Sequence, residues 1–488
     1  MNGIRRALLL TSAERYLTLV ANFVTLSVIS RMLTPSEIGV SILGIAVVGF
    51  SRSVFEFAGP IYLIQKKEIS ANDVRSFVTL QVIFGLVICA VVVAAAPMIA
   101  AAYDAPGLTS YLQVVGIGIL ADAVSAPISA LLRREMAFAR LAAISIAGVI
   151  VNLVLAIGLA YLGYSFMSLA WASLGSMAAI AILSILLYRD VSIFRPRFQN
   201  WGEIFVFGGY YGGNQFLYRM YETLPSVLLG RMISINAVAL YGRSVTICQL
   251  PEKFIMGGAS VVLLPAFSAA FREGQDLRKA YLRAIEYIAA VQWPAFLLLF
   301  VLAHPVVEVV LGGQWLSIVP FVQVMALACL SAFSAELNHA LLIATGGMRD
   351  VFIRSLIVWP LSASIIVISA FYGLYAVALS WLLIIPLQNY VAFFFVRKYI
   401  SVDWADVGGA IKAASVVAVS SLVGPLAVVA SAGTFEISVQ AAALSIVVSA
   451  MGWFAALWLT KHPLKNDIIE VASPVIGVDL KKKVTKHA

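Results

Sequence analysis

The chain has 488 residues, of which 62% are hydrophobic and only 12% charged, with a mean hydropathy of +0.97. A soluble domain is nearer half apolar and a quarter charged, so this composition excludes a soluble enzyme and leaves no room for a separate soluble domain. Lys plus Arg exceeds Asp plus Glu by 33 to 24, an excess that in a membrane protein reports orientation rather than nucleic-acid binding.

Apolar runs of about 20 residues, enough to cross a bilayer, recur from end to end. Arg5-Arg6 followed by Ala7 to Ser12 has the look of a signal peptide. Glu14-Arg15 interrupts it and no small-residue cleavage site follows, so it reads as an uncleaved first span. Hydropathy predicts an all-α polytopic protein of about fourteen spans. They lie near 8–32, 38–64, 76–99, 108–132, 140–162, 166–188, 203–230, 237–265, 283–303, 319–344, 353–372, 375–396, 408–430 and 438–460. Basic residues alternate with this count. Lys66, Lys67, Arg133, Arg134, Arg195, Arg197, Arg278, Lys279, Arg349, Arg397 and Lys398 fall in one set of loops, and Arg31 and Arg231 in the other. The positive-inside rule then places both termini in the cytoplasm. The stretch from Ala266 to Glu286 and the tail after Lys461 mix apolar and basic residues, as inner-leaflet surface helices do.

The chain repeats itself. Arg31-Met32 recurs as Arg231-Met232, Ala130-Leu131-Leu132 as Ala340-Leu341-Leu342, and Gly163, Leu169 and Trp171 as Gly373, Leu379 and Trp381. An even number of spans separates the copies. Two parallel six-helix lobes are expected around a central cavity. They take residues 1–200 and 201–400, followed by two helices over 401–460 and a basic cytoplasmic tail over 461–488.

Charge enters the spans selectively. In the first, Thr11, Arg15, Thr18, Asn22 and Thr25 share one face, within roughly 80° at 100° per residue. The second follows the turn Thr34-Pro35-Ser36-Glu37 and carries Arg52 and Glu56 one turn apart. The seventh carries Gln215, Arg219, Glu222 and Ser226, and the eighth Arg243, Thr246, Gln249 and Lys253 with Glu252 beside them. One reading is that the charges cancel locally, Arg52 with Glu56 and Arg219 with Glu222. Against it, each central charge costs about 2.5–3.5 kcal/mol even on the lenient insertion scale, and small residues and hydroxyls join helices without that penalty. Arg15, Arg243 and Lys253 have no acid three or four residues away. The stripes therefore predict a basic cavity, which favours an anionic ligand.

Asp122 and Glu336 fit either proton or sodium sites or hydrogen-bonded buried acids. His304 and His339 lack metal-ligand company, and Cys89, Cys248 and Cys329 are scattered through apolar runs without CxxC, so no metal site is expected. Pro225, Pro251, Pro294, Pro360 and Pro386 predict kinks. No GxxxxGKS/T, HExxH, GxSxG or DxD occurs, and connections such as Gly163-Tyr164 are too short for a catalytic domain. No catalytic residue and no cofactor is expected, and proton or sodium coupling stays open.

Five segments carry a family resemblance: SRMLTPSEIGV at 30–40, GPIYLIQKKEIS at 59–70, ALLRREMAFARLAAISIAG at 130–148, LLGRMISINAVALYGRS at 228–244 and LLPAFSAAFREGQDLRKAYLRA at 263–284. The chain resembles the polysaccharide-repeat (O-antigen and exopolysaccharide) flippases of the multidrug, oligosaccharidyl-lipid and polysaccharide exporter superfamily, over roughly residues 10–460. Ile38 replaces the aromatic often found before the motif's Gly, and the second copy lacks both the Pro and the acid. The resemblance implies a multi-pass protein of the bacterial inner membrane, not an enzyme. It would carry an undecaprenyl-pyrophosphate-linked oligosaccharide to the outer leaflet by alternating access. Arg15, Asn22, Arg52, Gln215, Arg219, Arg243 and Lys253 would hold the ligand, and Glu56, Glu222 and Glu252 would pair with the cations or carry a coupling proton. Its partners would be the lipid-linked oligosaccharide, membrane lipids, and a polysaccharide polymerase with its export machinery, with no nucleic acid. A lipid II flippase for peptidoglycan shares the pyrophosphate ligand, and a cation-coupled drug exporter of the same superfamily would need an acidic cavity instead.

Overall fold

The computed structural model describes residues 2–53, 61–66 and 68–467, and every regular element among them is helical. In chain order the helices are α1 (Asn2–Met32), α2 (Pro35–Arg52), α3 (Ile61–Gln65), α4 (Ala71–Ala102), α5 (Gly107–Arg134), α6 (Phe138–Tyr161), α7 (Met167–Tyr188), α8 (Trp201–Met232) and α9 (Ile235–Arg272). They continue with α10 (Leu277–Val301), α11 (Ala303–Leu311), α12 (Val319–Cys329), α13 (Ala335–Ala344), α14 (Met348–Ala370), α15 (Leu374–Val396), α16 (Trp404–Ala432) and α17 (Val439–Leu459). Ten helical stretches among the described residues are long and apolar enough to cross a bilayer. The charged stripes fall on α1, α2, α8 and α9. Leu86, Val91 and Met98 on α4, Leu383 and Phe394 on α15, and Leu444 and Met451 on α17 are exposed. Such large apolar faces suit lipid rather than water. The protein is a polytopic all-α membrane protein.

The chain divides into two compact units. The first holds residues 1–247, 310–321 and 351–380. In it α4 lies along α5, α6 along α7, α5 against α7, and α2 against both α5 and α8. Leu43, Val92, Tyr111, Leu112 and Ile119 close its core at one end, and Tyr62, Phe77, Ile128 and Leu132 at the other. The second unit holds residues 248–309, 322–350 and 381–488. There α10 lies along α16, and α16 along α17. Ala289, Ala290 and Ala414 are buried at the first of those seams. Small residues let helix backbones approach closely, the usual adhesive in lipid.

The turn between α1 and α2 shows what the motif residues do. Thr34 caps α2, accepting from the Glu37 amide at 3.4 Å while Glu37 Oε2 accepts the Thr34 amide at 2.7 Å, and Pro35 opens the helix. Ser165, in the turn before α7, adds a hydrogen bond to Glu37. A Cβ on Gly39 would lie 2.2 Å from the Ile235 carbonyl oxygen, so only glycine lets the starts of α2 and α9 meet there. The connection after α11 ties the end of α1. Gln314 Nε2 donates to the Ser30 carbonyl and, at 3.1 Å, to that of Leu33, and the indole of the fully buried Trp315 donates to Ser30 at 2.8 Å. These donors satisfy carbonyls that a helix end leaves without partners.

Two expectations change. The predicted span at 319–344 is interrupted by a 3-10 turn over Leu330–Ser334. No Gly or Pro causes it. Trp293 Nε1 donates to the Leu330 carbonyl at 2.7 Å and Asn389 Nδ2 to that of Ser331, so side chains from α10 and α15 take up the freed acceptors. The stretch Ala266–Glu286 is not a separate surface helix. It is the end of α9 and the start of α10, parted by the Asp276 cap, whose carboxylate accepts the Arg278 amide at 3.0 Å. The tail beyond residue 467 lies outside the described residues. The five prolines expected to kink spans all sit inside helices that continue through them.

Candidate functional site

An ion-paired cavity lies within the first unit. α2 carries Arg52 seventeen residues from Pro35, α5 carries Asp122 fifteen from Gly107, and α8 carries Arg219 thirteen before Met232. At 1.5 Å per residue these positions are about 26, 22 and 20 Å from those helix ends. The ends are near one another, since Tyr103, just before α5, donates through its hydroxyl to the Val227 carbonyl on α8 at 3.3 Å. The three charged groups therefore reach a common depth. They line a cavity of about 420 Å³ together with Ser53, Gln81 and Ser173, walled by Ile45, Val48, Val115 and Met177.

Arg52 Nη2 sits 2.5 Å from Asp122 Oδ2, with Arg52 43% exposed and Asp122 21%. Among the described residues Arg52 is the one partner of this carboxylate. Arg219 Nη1 is 2.6 Å from Glu222 Oε2, one turn along the same helix. Both cavity arginines thus carry an internal carboxylate and stay accessible to the cavity.

The other expected residues are placed as follows. Arg15 and Asn22 are exposed on α1, which lies along α6 and lends nothing to the described lining of this cavity. Gln215 is half-buried one turn before Arg219, outside that lining. Arg243 on α9 has a buried Nε without a hydrogen bond, and its guanidinium lies 5.7 Å from the centre of the Trp315 ring. Glu252 and Lys253 belong to the second unit, where Glu252 feels the charges of Glu336 and Lys253. Glu56 lies outside the described residues. The cavity therefore unites Arg52 and Arg219 with Asp122, which the sequence left between an ion site and a buried hydrogen-bonded acid, and adds Ser53, Gln81 and Ser173, which were not singled out. For Gln81 a signal was present, since it is the one amide in the span 76–99.

The fold defines a class first. A multidrug resistance transporter of the MATE family, solved inward-facing, superposes with a TM-score of 0.65 at 16% identity, over 81% of this chain and 98% of that one. The lipid II flippase MurJ, solved inward closed, superposes with a TM-score of 0.73 at 12% identity, over 94% and 100%. At such identities the likeness is one of fold alone. The sequence narrows it: the family model described as polysaccharide biosynthesis protein matches residues 28–320, and the chain belongs to that family. Among its relatives are the lipopolysaccharide biosynthesis protein WzxC of Escherichia coli (strain K12), 21% identical over 62% of each chain, and the teichuronic acid biosynthesis protein TuaB of Bacillus subtilis (strain 168), 20% identical over 69% of this chain and 70% of that one. The succinoglycan biosynthesis transport protein ExoT of Rhizobium meliloti (strain 1021) is 22% identical over 63% of this chain. The chain spans just under two thirds of the length of WzxC and of ExoT.

Proposed function

We propose that the chain flips lipid-linked oligosaccharide repeat units, carried on undecaprenyl pyrophosphate, from the inner to the outer leaflet of a bacterial inner membrane for cell-surface polysaccharide assembly. The observation that carries this reading is the cavity holding Arg52 and Arg219, two cations open to a ligand at membrane depth, in a chain whose family and named relatives are those of polysaccharide biosynthesis. A guanidinium matches a phosphate oxygen pair in shape and charge. The pyrophosphate would lie against Arg52 and Arg219, the sugars would reach further polar groups such as Arg15, Arg243 and Lys253, and the lipid tail would stay in the bilayer. Two lobes, residues 1–200 and 201–400, would rock about this load with both termini in the cytoplasm, as a transporter rather than an enzyme, driven by a proton or sodium gradient.

The experiment is deletion followed by leaflet-resolved analysis of lipid-linked oligosaccharides. Accumulation on the cytoplasmic face is the expected result, and the accumulated glycan names the substrate. An unchanged distribution with normal polymer export sinks the proposal. The MurJ-like fold supports a second reading, transport of a peptidoglycan precursor. That reading requires the deletion to be lethal without any polysaccharide phenotype.

A further inference from the structure

We propose that Asp122 is a displaceable counter-ion, holding Arg52 in the empty cavity and yielding it to the anionic group of the ligand. The inference rests on the cavity being the ligand's anion site, as proposed above. Its own support is a contrast between two acids of the same unit. Asp73 is pinned: it accepts from the Ser70 amide at 3.0 Å, the Ser70 hydroxyl at 2.9 Å and Asn200 Nδ2 at 3.1 Å, with Lys66 Nζ at 3.3 Å. Among the described residues the Asp122 carboxylate is held by Arg52 alone, at 2.5 Å, where Asp73 has three partner residues. The cations contrast in the same way. Arg134 is fixed by the carbonyls of Leu63, Ile64 and Lys66 at 2.9, 3.4 and 2.6 Å, whereas Arg52 is 43% exposed on the cavity wall. A pair built only to hold α2 to α5 would saturate its donors and acceptors as Asp73 and Arg134 do, because unsaturated buried polar groups are costly.

An exchangeable pair suits a carrier. Arg52 left bare at this depth would be costly when empty and would hold an anion too firmly to release it. With Asp122 in place, the ligand must displace a carboxylate, which lowers affinity by the free energy of the pair. On release Asp122 returns and the cavity is neutralised at that point. Arg219 does not share Asp122, since its own partner is Glu222. Asp122 is thus a positioning residue acting through Arg52.

The test uses the full chain purified in detergent and geranyl pyrophosphate as the probe, with binding read by isothermal calorimetry and fold by thermal unfolding. Asp122→Asn and Asp122→Thr are expected to tighten binding about tenfold or more and to lower polymer export in cells, because the load is retained. Asp122→Glu should restore wild-type affinity and export. Arg52→Gln should abolish binding, and adding Asp122→Asn to it should recover nothing. If the neutral variants fold but bind no better than wild type while Arg52→Gln still loses binding, the counter-ion proposal fails and the anion site stands. If Arg52→Gln binds normally, the anion site itself fails. If both neutral variants unfold while Arg52→Gln folds, Asp122 is a structural acid and the proposal is overturned.

Discussion

Two glycines on one helix separate packing from function at the scale of single residues. A Cβ on Gly44 would lie 2.3 Å from the ring of Tyr111, which is fully buried and has nowhere to go. Gly44→Ala should cost about 1–3 kcal/mol by overpacking, read as a lower thermal midpoint in detergent. A Cβ on Gly49, one and a half turns on, meets nothing within 4 Å and points from the cavity wall. Gly49→Leu should leave stability within about 0.5 kcal/mol of wild type yet stop polymer export by filling the cavity. Normal export from that variant would show that the ligand does not use this space. The arginines of this site were legible in the sequence, because a cation in a greasy helix stands out. The partner that the described residues give Arg52 was not: Asp122 arrives on another helix, and only tertiary packing brings it within 2.5 Å.

Helix ends are set by specific side chains, and these give the element-scale predictions. Glu37 closes the capping box of α2 and also binds Ser165 before α7. Glu37→Ala should destabilise by about 1–2 kcal/mol, and the same change combined with Ser165→Ala should be less than additive in the unfolding midpoint. At the other end of the chain, His462 follows α17 with a fully buried side chain. Its Nδ1 accepts the Leu464 amide at 3.2 Å, and its Nε2 lies 3.6 Å from Glu286 on α10. Burial holds its pKa below the ordinary 6.5. Because the undocked imidazole binds protons more readily, the docking of this segment is at full strength above pH 6.5 and weakens as pH falls below it, through the depressed value. Hydrogen exchange at residues 460–467 should therefore rise relative to α16 between about pH 7.5 and 5.5, and His462→Gln should remove that dependence. Hydropathy marked the long apolar helices but not the turn at Leu330–Ser334, since a break without Gly or Pro is made by donors from other helices.

At the scale of the whole molecule, the described helices carry large exposed apolar faces, and the first unit pairs Arg52 with Asp122 and Arg219 with Glu222. Its class was readable because bilayer thickness imposes long apolar runs, and its family because the turn at 34–39 needs a capping acid and a glycine at fixed spacing. Proteoliposomes holding the chain should move a fluorescent prenyl-pyrophosphate sugar without ATP, at a rate that responds to an imposed ion gradient. A strict ATP requirement would overturn the transport scheme. The tie between Gln314, Trp315 and the end of α1 carries one more consequence. Both side chains grip main-chain carbonyls, and a carbonyl is the same whatever residue bears it. The buried Ser30 hydroxyl has no hydrogen bond of its own. In a saturation library this contact should therefore look lopsided: Ala or Gly at position 30 forgiven, and almost nothing accepted in place of the amide and indole that reach across to it.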